Sequence, residues 1–385
     1  MEKVALLKCT EYNVDAIEKT LREGFELLGG SSFLRKLIPK NSKVLLKPNF
    51  LSVVEKGSIV ITHYAVFEAV IRIVKEYTDD IAFGDSPASD NNRKAAEQSG
   101  LMEVAERYGV KFVDFSDEVH VELDNPIMYK FWNIARAPYE ADVVITLPKL
   151  KTHAMMYYTG AVKNQFGCVP GSKKAQWHTK SPNAINFSKM LLDLNSVVKT
   201  SFAILDGILA MEGNGPRNGT AKKMDTIIMG KCLTAVDSTA VRLIGYDNVL
   251  AVPFLKVAHE TKWGAVLPEE IEVLGEKIED MKCKDFKLSR SARVVNFITP
   301  SVNKLAVSLA APDPIVIAEK CVSCKRCAEV CPEKPNVITF KKHNDKLIPK
   351  WNYSKCIRCF CCQELCPMGA IETKEKQLSK MLGLR

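Results

Sequence analysis

The 385-residue sequence predicts an α/β fold, a mostly parallel open sheet with flanking helices, followed by a small C-terminal α+β domain. Short apolar runs alternate with helical patterns from the N-terminus, which is the order that builds a largely parallel sheet. With 46% hydrophobic residues the chain can bury a sizeable core, and its length favours two or three domains. Nine of the 13 cysteines lie in the last fifth of the chain, which indicates a separate small domain there.

The N-terminal part of the chain repeats the order strand, then helix. Each strand is a short aliphatic or aromatic run, and each helix is a longer stretch of helical pattern. We expect strands at residues 4–7, 44–46, 81–83 and 110–115, and helices at residues 15–28, 64–77 and 93–108.

Three further strands are expected at residues 143–147, 202–205 and 227–229. The first two run into polar or glycine-containing segments, which begin at Pro148 and Asp206. In open α/β sheets, ligands bind outside the carboxyl ends of the strands. The first candidates for a binding site are therefore the residues just after strands: Lys47, Asn49, Asp85, Lys149, Lys151, His153 and Asp206.

The segment 148–171 is dense in reactive side chains. It contains Lys149, Lys151, His153, Lys163, Asn164 and Cys168. Lysines here could clamp a carboxylate or phosphate, and the histidine could exchange a proton near neutral pH. A surface loop with solvated lysines explains the same composition, so both interpretations stay open. His178 could join this site or only pack on the neighbouring Trp177.

A second segment places two acids, Asp206 and Glu212, beside several glycines. With Asp85 and Asp237 they could supply hard oxygen ligands to a divalent ion. A tight structural turn would also explain the glycines, and Asp237 could instead cap a helix N-terminus. The glycines match neither a dinucleotide-binding fingerprint nor a P-loop, so no nicotinamide cofactor is indicated.

The charge balance limits the classes of partner. The formal net charge is +9, which favours acidic partners or anionic substrates over long range. Basic residues are spread along the chain without a nucleic-acid-binding signature, so we expect no nucleic-acid partner.

The most apolar stretch, residues 294–311, is interrupted by polar residues and proline; we expect a helix at the domain junction, or an interfacial helix, and no transmembrane segment. Without a recognisable signal peptide, we expect a cytoplasmic protein.

The cysteines form two runs with the same x2, x2, x3 spacing, each followed by proline. This is the spacing in which thiolates hold [4Fe–4S] clusters, with the fourth cysteine of each run reaching the other cluster. Zinc usually takes two separated pairs, and disulfides do not suit an intracellular chain. The expected ligands are Cys321, Cys324, Cys327 and Cys366 for one cluster, and Cys331, Cys356, Cys359 and Cys362 for the other. Cys361 breaks the register and is interpreted as a spare thiol.

These runs, with the tail that follows Pro367, resemble the two-cluster bacterial ferredoxins over residues 313–375. Between them, residues 337–340 and 347–351 predict a short hairpin. We expect an α/β domain at 1–281, a connector at 282–312, a ferredoxin-like domain at 313–375 and a tail at 376–385.

The rest of the chain resembles the domain-of-unknown-function 362 family, over roughly residues 1–280. The resemblance depends mainly on the segments 151–153, 163–167 and 212–216, with support from 47–49, 84–87 and 235–237. The resemblance implies an α/β domain whose loops gather around one site, and it does not identify the reaction. The organisation is also distantly similar to that of the nickel-dependent lactate racemase group, but we infer no nickel chemistry for this chain from that similarity.

We therefore expect an iron–sulfur oxidoreductase, whose two [4Fe–4S] clusters relay single electrons to a site on the α/β domain. The expected catalytic residues are His153, which exchanges a proton, Lys151 and Lys163. A small anionic substrate, with or without a divalent ion, would be held by Lys47, Asn49, Lys149, Asn164, Asp85, Asp206 and Glu212. Two alternatives stay open: an adaptor that docks a redox partner protein, and a metal-dependent isomerase or lyase with structural or sensing clusters.

Overall fold

The computed structural model describes residues 1–87, 91–181, 183–289, 312–374 and 376. Among these residues, the α/β domain has twelve strands: β1 (Glu2–Lys8), β2 (Val44–Pro48), β3 (Ile81–Phe83), β4 (Lys111–Phe112), β5 (Glu118–Glu122), β6 (Phe131–Ala135), β7 (Val143–Leu147), β8 (Lys149–His153), β9 (Tyr157–Thr159), β10 (Phe202–Glu212), β11 (Thr220–Gly230) and β12 (Ile271–Gly275). The described helices of this α/β domain are α1 (Val14–Leu28), α2 (Gly30–Leu37), α3 (Tyr64–Val74), α4 (Asn92–Gln98), α5 (Leu101–Tyr108), α6 (Arg136–Glu140), α7 (Ala161–Asn164), α8 (Gly171–Lys180), α9 (Ala184–Val198), α10 (Leu233–Leu243), α11 (Pro253–Thr261) and α12 (Ile278–Met281).

Ten of these strands form one sheet, whose main order is β12-β1-β11-β10-β7-β2-β3-β4. The five strands from β10 to β4 are parallel to their neighbours, whereas β11 runs antiparallel to both β1 and β10. Strands β2 and β7 are buried along their whole length, as expected for parallel strands covered on both faces. The predicted fold class, a mostly parallel sheet with flanking helices, is confirmed.

Alternate residues of the central strands pack on opposite faces of the sheet, because side chains in a strand alternate. Leu45 and Val144 join an apolar cluster with residues of α9, α10 and α11. Leu46 and Ile145, one position further along, join a second cluster with residues of α1, α3 and α5. The sheet is therefore the middle of three layers, and its carboxyl edge is open to loops from both sides.

Four local interpretations need correction. The helix expected at 93–108 is two helices, because Gly100 has a positive φ of 81° that ends one and begins the next. The strand expected at 110–115 is limited to β4. The segment 206–212, interpreted as a possible turn, continues strand β10 with an irregularity between Gly207 and Leu209. Likewise, residues 149–153 are the buried strand β8 and not an exposed loop.

The cysteine-rich module, our name for residues 312–374, has two short antiparallel pairs of strands and two short helices. Its elements are β13 (Asp313–Val316), α13 (Arg326–Glu329), β14 (Ile338–His343), β15 (Lys346–Trp351), α14 (Cys361–Glu364) and β16 (Ile371–Lys374). The hairpin expected between the cysteine runs is formed by β14 and β15. The helix expected at 294–311 and the tail from 377 lie outside the described residues. Within the described ranges, no helix has the length and apolar character needed to cross a membrane.

Candidate active site

The carboxyl ends of β2 and β3 bring Lys47 and Asp85 together. Lys47 Nζ lies 2.8 Å from Asp85 Oδ1, and the second carboxylate oxygen accepts a hydrogen bond from the backbone N–H of Phe50. Both side chains are buried. A Cβ added at Gly167 would lie 1.7 Å from Asp85 Oδ1, so only glycine lets the backbone approach this pair so closely. The two charges neutralise each other, and the pair supports the wall of the site.

A second buried pair joins Lys149, the first residue of β8, to Asp206, in the interior of the neighbouring strand β10. Their side chains are 2.8 Å apart, and both also contact the hydroxyl of Tyr12. Asp206 accepts a further hydrogen bond from the backbone N–H of His63, whose ring stacks on Tyr12 with centroids 3.7 Å apart. Burial lowers the pKa of Lys149, and the carboxylate opposes that effect. This network is closed, and it does not line the cavity described next.

A small cavity, here called the lysine pocket, lies between the α/β domain and the cysteine-rich module. It encloses about 60 Å³, which is room for a small anion or a few water molecules. Its polar lining combines residues from the ends of several strands with one residue of the cysteine-rich module. These residues are Asn49, Asp85, Ser86, Lys151, His153, Thr159, Lys163, Asn164, Lys174 and Glu364.

Two of the pocket lysines contact only neutral groups. Lys151 Nζ donates to the carbonyl of Val60 at 2.8 Å and to the amide oxygen of Asn49 at 3.3 Å. Lys174 Nζ donates to the backbone carbonyls of Ser86 and Pro87. Burial lowers the pKa of Lys151 to about 7, with repulsion from Lys163 adding to the effect, and burial lowers that of Lys174 to about 8. A bound anion would stabilise the charged form of both lysines.

Glu364, in α14 of the cysteine-rich module, inserts its carboxylate into the pocket. Oε1 lies 2.8 Å from Lys163 Nζ, and Oε2 lies 3.2 Å from His153 Nε2 and 3.5 Å from His178 Nε2. The Glu364 side chain is only 9% exposed. Burial would raise the pKa of this carboxyl, but Lys163 and the two imidazoles outweigh it and hold the pKa well below its usual range.

His153 is held in one neutral tautomer by its surroundings. Its Nδ1 accepts hydrogen bonds from the backbone N–H groups of Met155 and Met156, which leaves Nε2 to carry the hydrogen that points at Glu364. Burial, reinforced by Lys163, lowers the pKa of His153 to about 4. An imidazole with this pKa is neutral at physiological pH, so it donates a hydrogen bond without carrying charge.

The acids expected to bind a divalent ion do not converge. Asp85 and Asp206 each neutralise a buried lysine, and Glu212 accepts a hydrogen bond from the backbone N–H of Lys287. Asp237 accepts hydrogen bonds from the first backbone N–H groups of α7, and so caps a helix other than its own. In the part of the chain that the structure describes, no three His, Cys, Asp or Glu side chains are close enough to share a single ion.

The segment that follows β10 contacts the cysteine-rich module. Asn214 Oδ1 accepts hydrogen bonds from Gln363 and Thr373, at 3.2 and 2.8 Å. Arg217 donates to the carbonyl of Cys366, and Asn218 donates to that of Gly369. The glycine-containing segment of the sequence is therefore part of the contact between the two regions.

The cysteines line two cavities in the cysteine-rich module. The outer cavity is lined by Cys321, Cys324, Cys327 and Cys366. The inner cavity is lined by Cys331, Cys356, Cys359 and Cys362, with Cys361 as a fifth thiol. Each cavity thus has one of the two proposed ligand sets among its lining residues, and four thiolates are the ligand set of a [4Fe–4S] cluster. Such a cluster spreads its ligands over four iron atoms, so they need not be as close as the ligands of a single ion.

The inner cavity faces the α/β domain. Phe360 lines it and also belongs to the apolar core of that domain, where Cys359 packs against the same cluster. Leu365 lines the lysine pocket and packs with Cys361. Glu364 is two residues from Cys362, so one short helix joins a cluster ligand to the pocket. By contrast, Cys324 of the outer cavity is exposed.

The sequence placed Asn49, Asp85, Lys151, His153, Lys163 and Asn164 in one site, and all of them line the lysine pocket. Lys174 and Glu364 were missed. Lys174 comes from helix α8, for which no strand-end argument applies, and Glu364 comes from the other region of the chain. His178 was left open, and it lies beside Glu364 while stacking on Phe187. Burial raises the pKa of Cys168 to about 12, so this thiol is not an activated nucleophile.

Two family descriptions match this chain. One, "Domain of unknown function (DUF362)", covers residues 44–242, and the other, "4Fe-4S dicluster domain", covers residues 320–375. A thylakoid-associated protein from a Synechocystis strain is 33% identical over 248 residues, which is 64% of this chain and 76% of that protein.

Two solved structures share part of the fold. The lactate racemase apoprotein from Thermoanaerobacterium thermosaccharolyticum matches 55% of this chain with a TM-score of 0.38 and 11% identity. A structural-genomics target from Thermotoga maritima matches 53% with a TM-score of 0.35 and 13% identity. The chain spans about half the length of each, 51% and 52%.

Proposed function

This chain belongs to the domain-of-unknown-function 362 family and carries a 4Fe-4S dicluster domain, and from that premise we propose that it reduces a small anionic substrate in the lysine pocket. When bound, two [4Fe–4S] clusters, one in each cysteine-lined cavity, would supply single electrons. The observation that carries the proposal is the position of Glu364. It lies two residues from Cys362 and contacts Lys163 and His153 inside the pocket.

The substrate is held by the two lysines that have no acidic contact, Lys151 and Lys174. Each is a buried cation whose only hydrogen-bond acceptors are carbonyl or amide oxygens, so an anion gains two charge-assisted hydrogen bonds on binding. Lys163 is held by Glu364 beside them. The small volume of the pocket limits the substrate to a few non-hydrogen atoms, or requires Glu364 to move aside.

Reduction of an oxyanion with loss of one oxygen as water consumes two protons, of which one comes from solvent and the other from Lys151. Its pKa of about 7 is matched to proton exchange near neutral pH, which is the condition for an effective general acid. His153, expected from the sequence to exchange this proton, is neutral and accepts two backbone hydrogen bonds at Nδ1, so it orients Glu364 instead. Lys151 returns to its charged form by taking a proton from solvent.

An electron-transfer adaptor would need the same cysteines but no buried pocket of lysines. Holding Lys151 and Lys174 charged without acidic partners costs free energy, because buried cations lose hydration. A chain that only docked other proteins gains nothing from that cost. The lysine pocket therefore favours a reductase over an adaptor.

The test is anaerobic. Protein reduced photochemically is mixed with nitrite, nitrate, sulfite or selenite, and cluster reoxidation is followed by absorbance. We expect at least one anion to reoxidise the wild type with saturation, and Lys151→Met to slow this about tenfold or more. The control Lys355→Met alters an exposed lysine of the cysteine-rich module and should react like the wild type. If no anion acts, or if Lys151→Met matches the wild type, the proposal fails. Turnover with the clusters held oxidised would instead support an isomerase or lyase.

A further inference from the structure

The mouth of the outer cavity carries exposed apolar side chains. Val322, Leu347 and Met368 are 52%, 42% and 49% exposed, and all three line the cavity that is surrounded by four thiols. Apolar side chains scattered singly over a surface need no explanation, but these are grouped around one opening. The backbone N–H of Leu347 is held by Ser323 Oγ at 3.0 Å, which joins the hairpin to the first cysteine run. The group is therefore a defined surface.

The charged side chains that line this opening are basic. Among the described residues that line the outer cavity, the charged ones are Lys325 and Arg326. Arg326 lies 3.5 Å from Glu329, while Lys325 is exposed and lies above the ring of Phe340. Two more exposed lysines, at positions 320 and 346, are close in sequence to the lining residues, and each follows an exposed acid, at 319 and 345. In the described chain from 312 to 374, lysine and arginine outnumber aspartate and glutamate by eleven to seven.

The inner cavity has the opposite character. Glu333 is the one charged residue that lines it within the described ranges, and Phe360 on its wall is buried in the core of the α/β domain. Among its described lining residues one large apolar side chain, Ile357, is exposed, against three at the outer cavity. The outer cavity combines an exposed thiol, Cys324, with an apolar group and a basic rim.

We propose that Val322, Leu347 and Met368, with the basic rim of Lys325 and Arg326, form the docking surface for an acidic electron-carrier protein. An apolar centre supplies contact area, and complementary charge at the rim steers the encounter and fixes its orientation. At this surface the carrier would lose one electron and the cluster held by the outer cysteines would gain it. The inference depends on the proposed function for the onward use of that electron, but not for the docking itself.

Docking is measured as binding, with no substrate present. The probe is an oxidised acidic plant-type ferredoxin, titrated by calorimetry into the anaerobic holoprotein. We expect Lys325→Glu combined with Arg326→Glu to weaken binding about tenfold or more, and Lys355→Glu to change it less than about twofold. Basic cytochrome c, which has the wrong charge, should not bind. Lys151→Met should bind the ferredoxin like the wild type, which separates failure of docking from failure of the reductase proposal.

The wild type alone gives a second test, in case the charge-reversal variant does not assemble. Binding should weaken between about 50 and 500 mM salt, because exposed charges are screened over that range. Binding that is unchanged by salt, or that is weakened equally by Lys355→Glu and by the double variant, would overturn the proposal. Absence of binding at low salt, or equal binding of cytochrome c, would overturn it as well.

Discussion

Glu364 Oε1 lies 2.8 Å from Lys163 Nζ, although 201 positions separate the two residues in the chain. The carboxylate belongs to the cysteine-rich module and the ammonium to the α/β domain. Both are nearly buried, at 9% and 8% exposure, so the contact is part of the pocket wall and not a surface ion pair. The cysteine-rich module therefore completes the wall of the lysine pocket, where we propose that reduction takes place.

Replacing Glu364 with glutamine should destabilise the protein by about 3 kcal/mol, because Lys163 would keep its charge in a buried position without its partner. The loss should be seen in denaturant unfolding at neutral pH. The difference in stability between the variant and the wild type should become smaller at acid pH. The pKa of Glu364 is depressed in the folded state, so its contribution to stability is present above the ordinary carboxyl pKa and is lost as pH falls through the folded-state pKa. Glu329→Gln, at a more exposed pair with Arg326, is the control and should cost less than about 1 kcal/mol. Equal losses in the two variants would contradict the account.

Anion binding should weaken as pH rises through about 7. Lys151 has a pKa of about 7 and binds an anion only when protonated, so the Kd for formate should rise about tenfold for each pH unit above that value. Lys174, with a pKa of about 8, should steepen the dependence beyond pH 8. Calorimetric titration with formate measures this. In Lys151→Met the dependence between pH 6 and 8 should largely vanish, and an unchanged profile in that variant would refute the assignment.

The crossed ligand sets predict a pattern of non-additive iron loss. Cys321→Ala combined with Cys324→Ala should lower the iron content from about eight to about four per chain. Adding Cys366→Ala to this double variant should not lower the iron content further, because Cys366 is a proposed ligand of the cluster that is already lost. Adding Cys362→Ala should remove the remaining iron. Iron and sulfide analysis after anaerobic purification distinguishes these outcomes, and further loss on adding Cys366→Ala would show that the sets are not crossed.

Gly167→Ala should destabilise the protein by about 3 kcal/mol or more. The added Cβ would lie 1.7 Å from Asp85 Oδ1 and 2.6 Å from Lys47 Nζ, so the buried pair must separate. Gly109→Ala is the comparison: it meets nothing within 4 Å, and its positive φ alone should cost about 1 kcal/mol. Thermal unfolding of the two variants tests this, and a smaller shift for Gly167→Ala would mean that the pair can move freely.

Much of the site could be predicted from strand ends. Lys47, Asp85 and Lys149 lie at or just after the ends of β2, β3 and β7, and parallel strands bring such residues to one edge. Asp206 meets them from the interior of β10, which continues beyond the strand end that the sequence predicted. Which lysine pairs with which acid depends on the strand order, which local patterns do not determine. The burial of Lys151 could not be predicted either, because a lysine-rich segment suggests a solvated loop. In the structure this segment is the buried strand β8.

The contribution of Glu364 could not be predicted from local sequence. The x2, x2, x3 spacing explains the cysteines around it, but a glutamate between two cluster ligands has no signature of its own. Its role depends on how the cysteine-rich module docks, which is fixed by contacts such as Asn214 with Gln363 and Arg217 with Cys366. The segment that makes them was interpreted as a ligand loop because its glycines and acids suit either purpose.

The central claim is that electrons reach the lysine pocket from the inner cavity. It is tested most directly by single-turnover reoxidation of chains that keep one cluster, using whichever oxyanion reoxidises the wild type with saturation. The chain with Cys321→Ala and Cys324→Ala, which keeps the inner cysteines intact, should still be reoxidised with saturation. The chain with Cys356→Ala and Cys359→Ala should react at least about tenfold more slowly, because its remaining cluster is not beside Glu364. Equal rates in the two chains, or faster reoxidation of the second, would contradict the account.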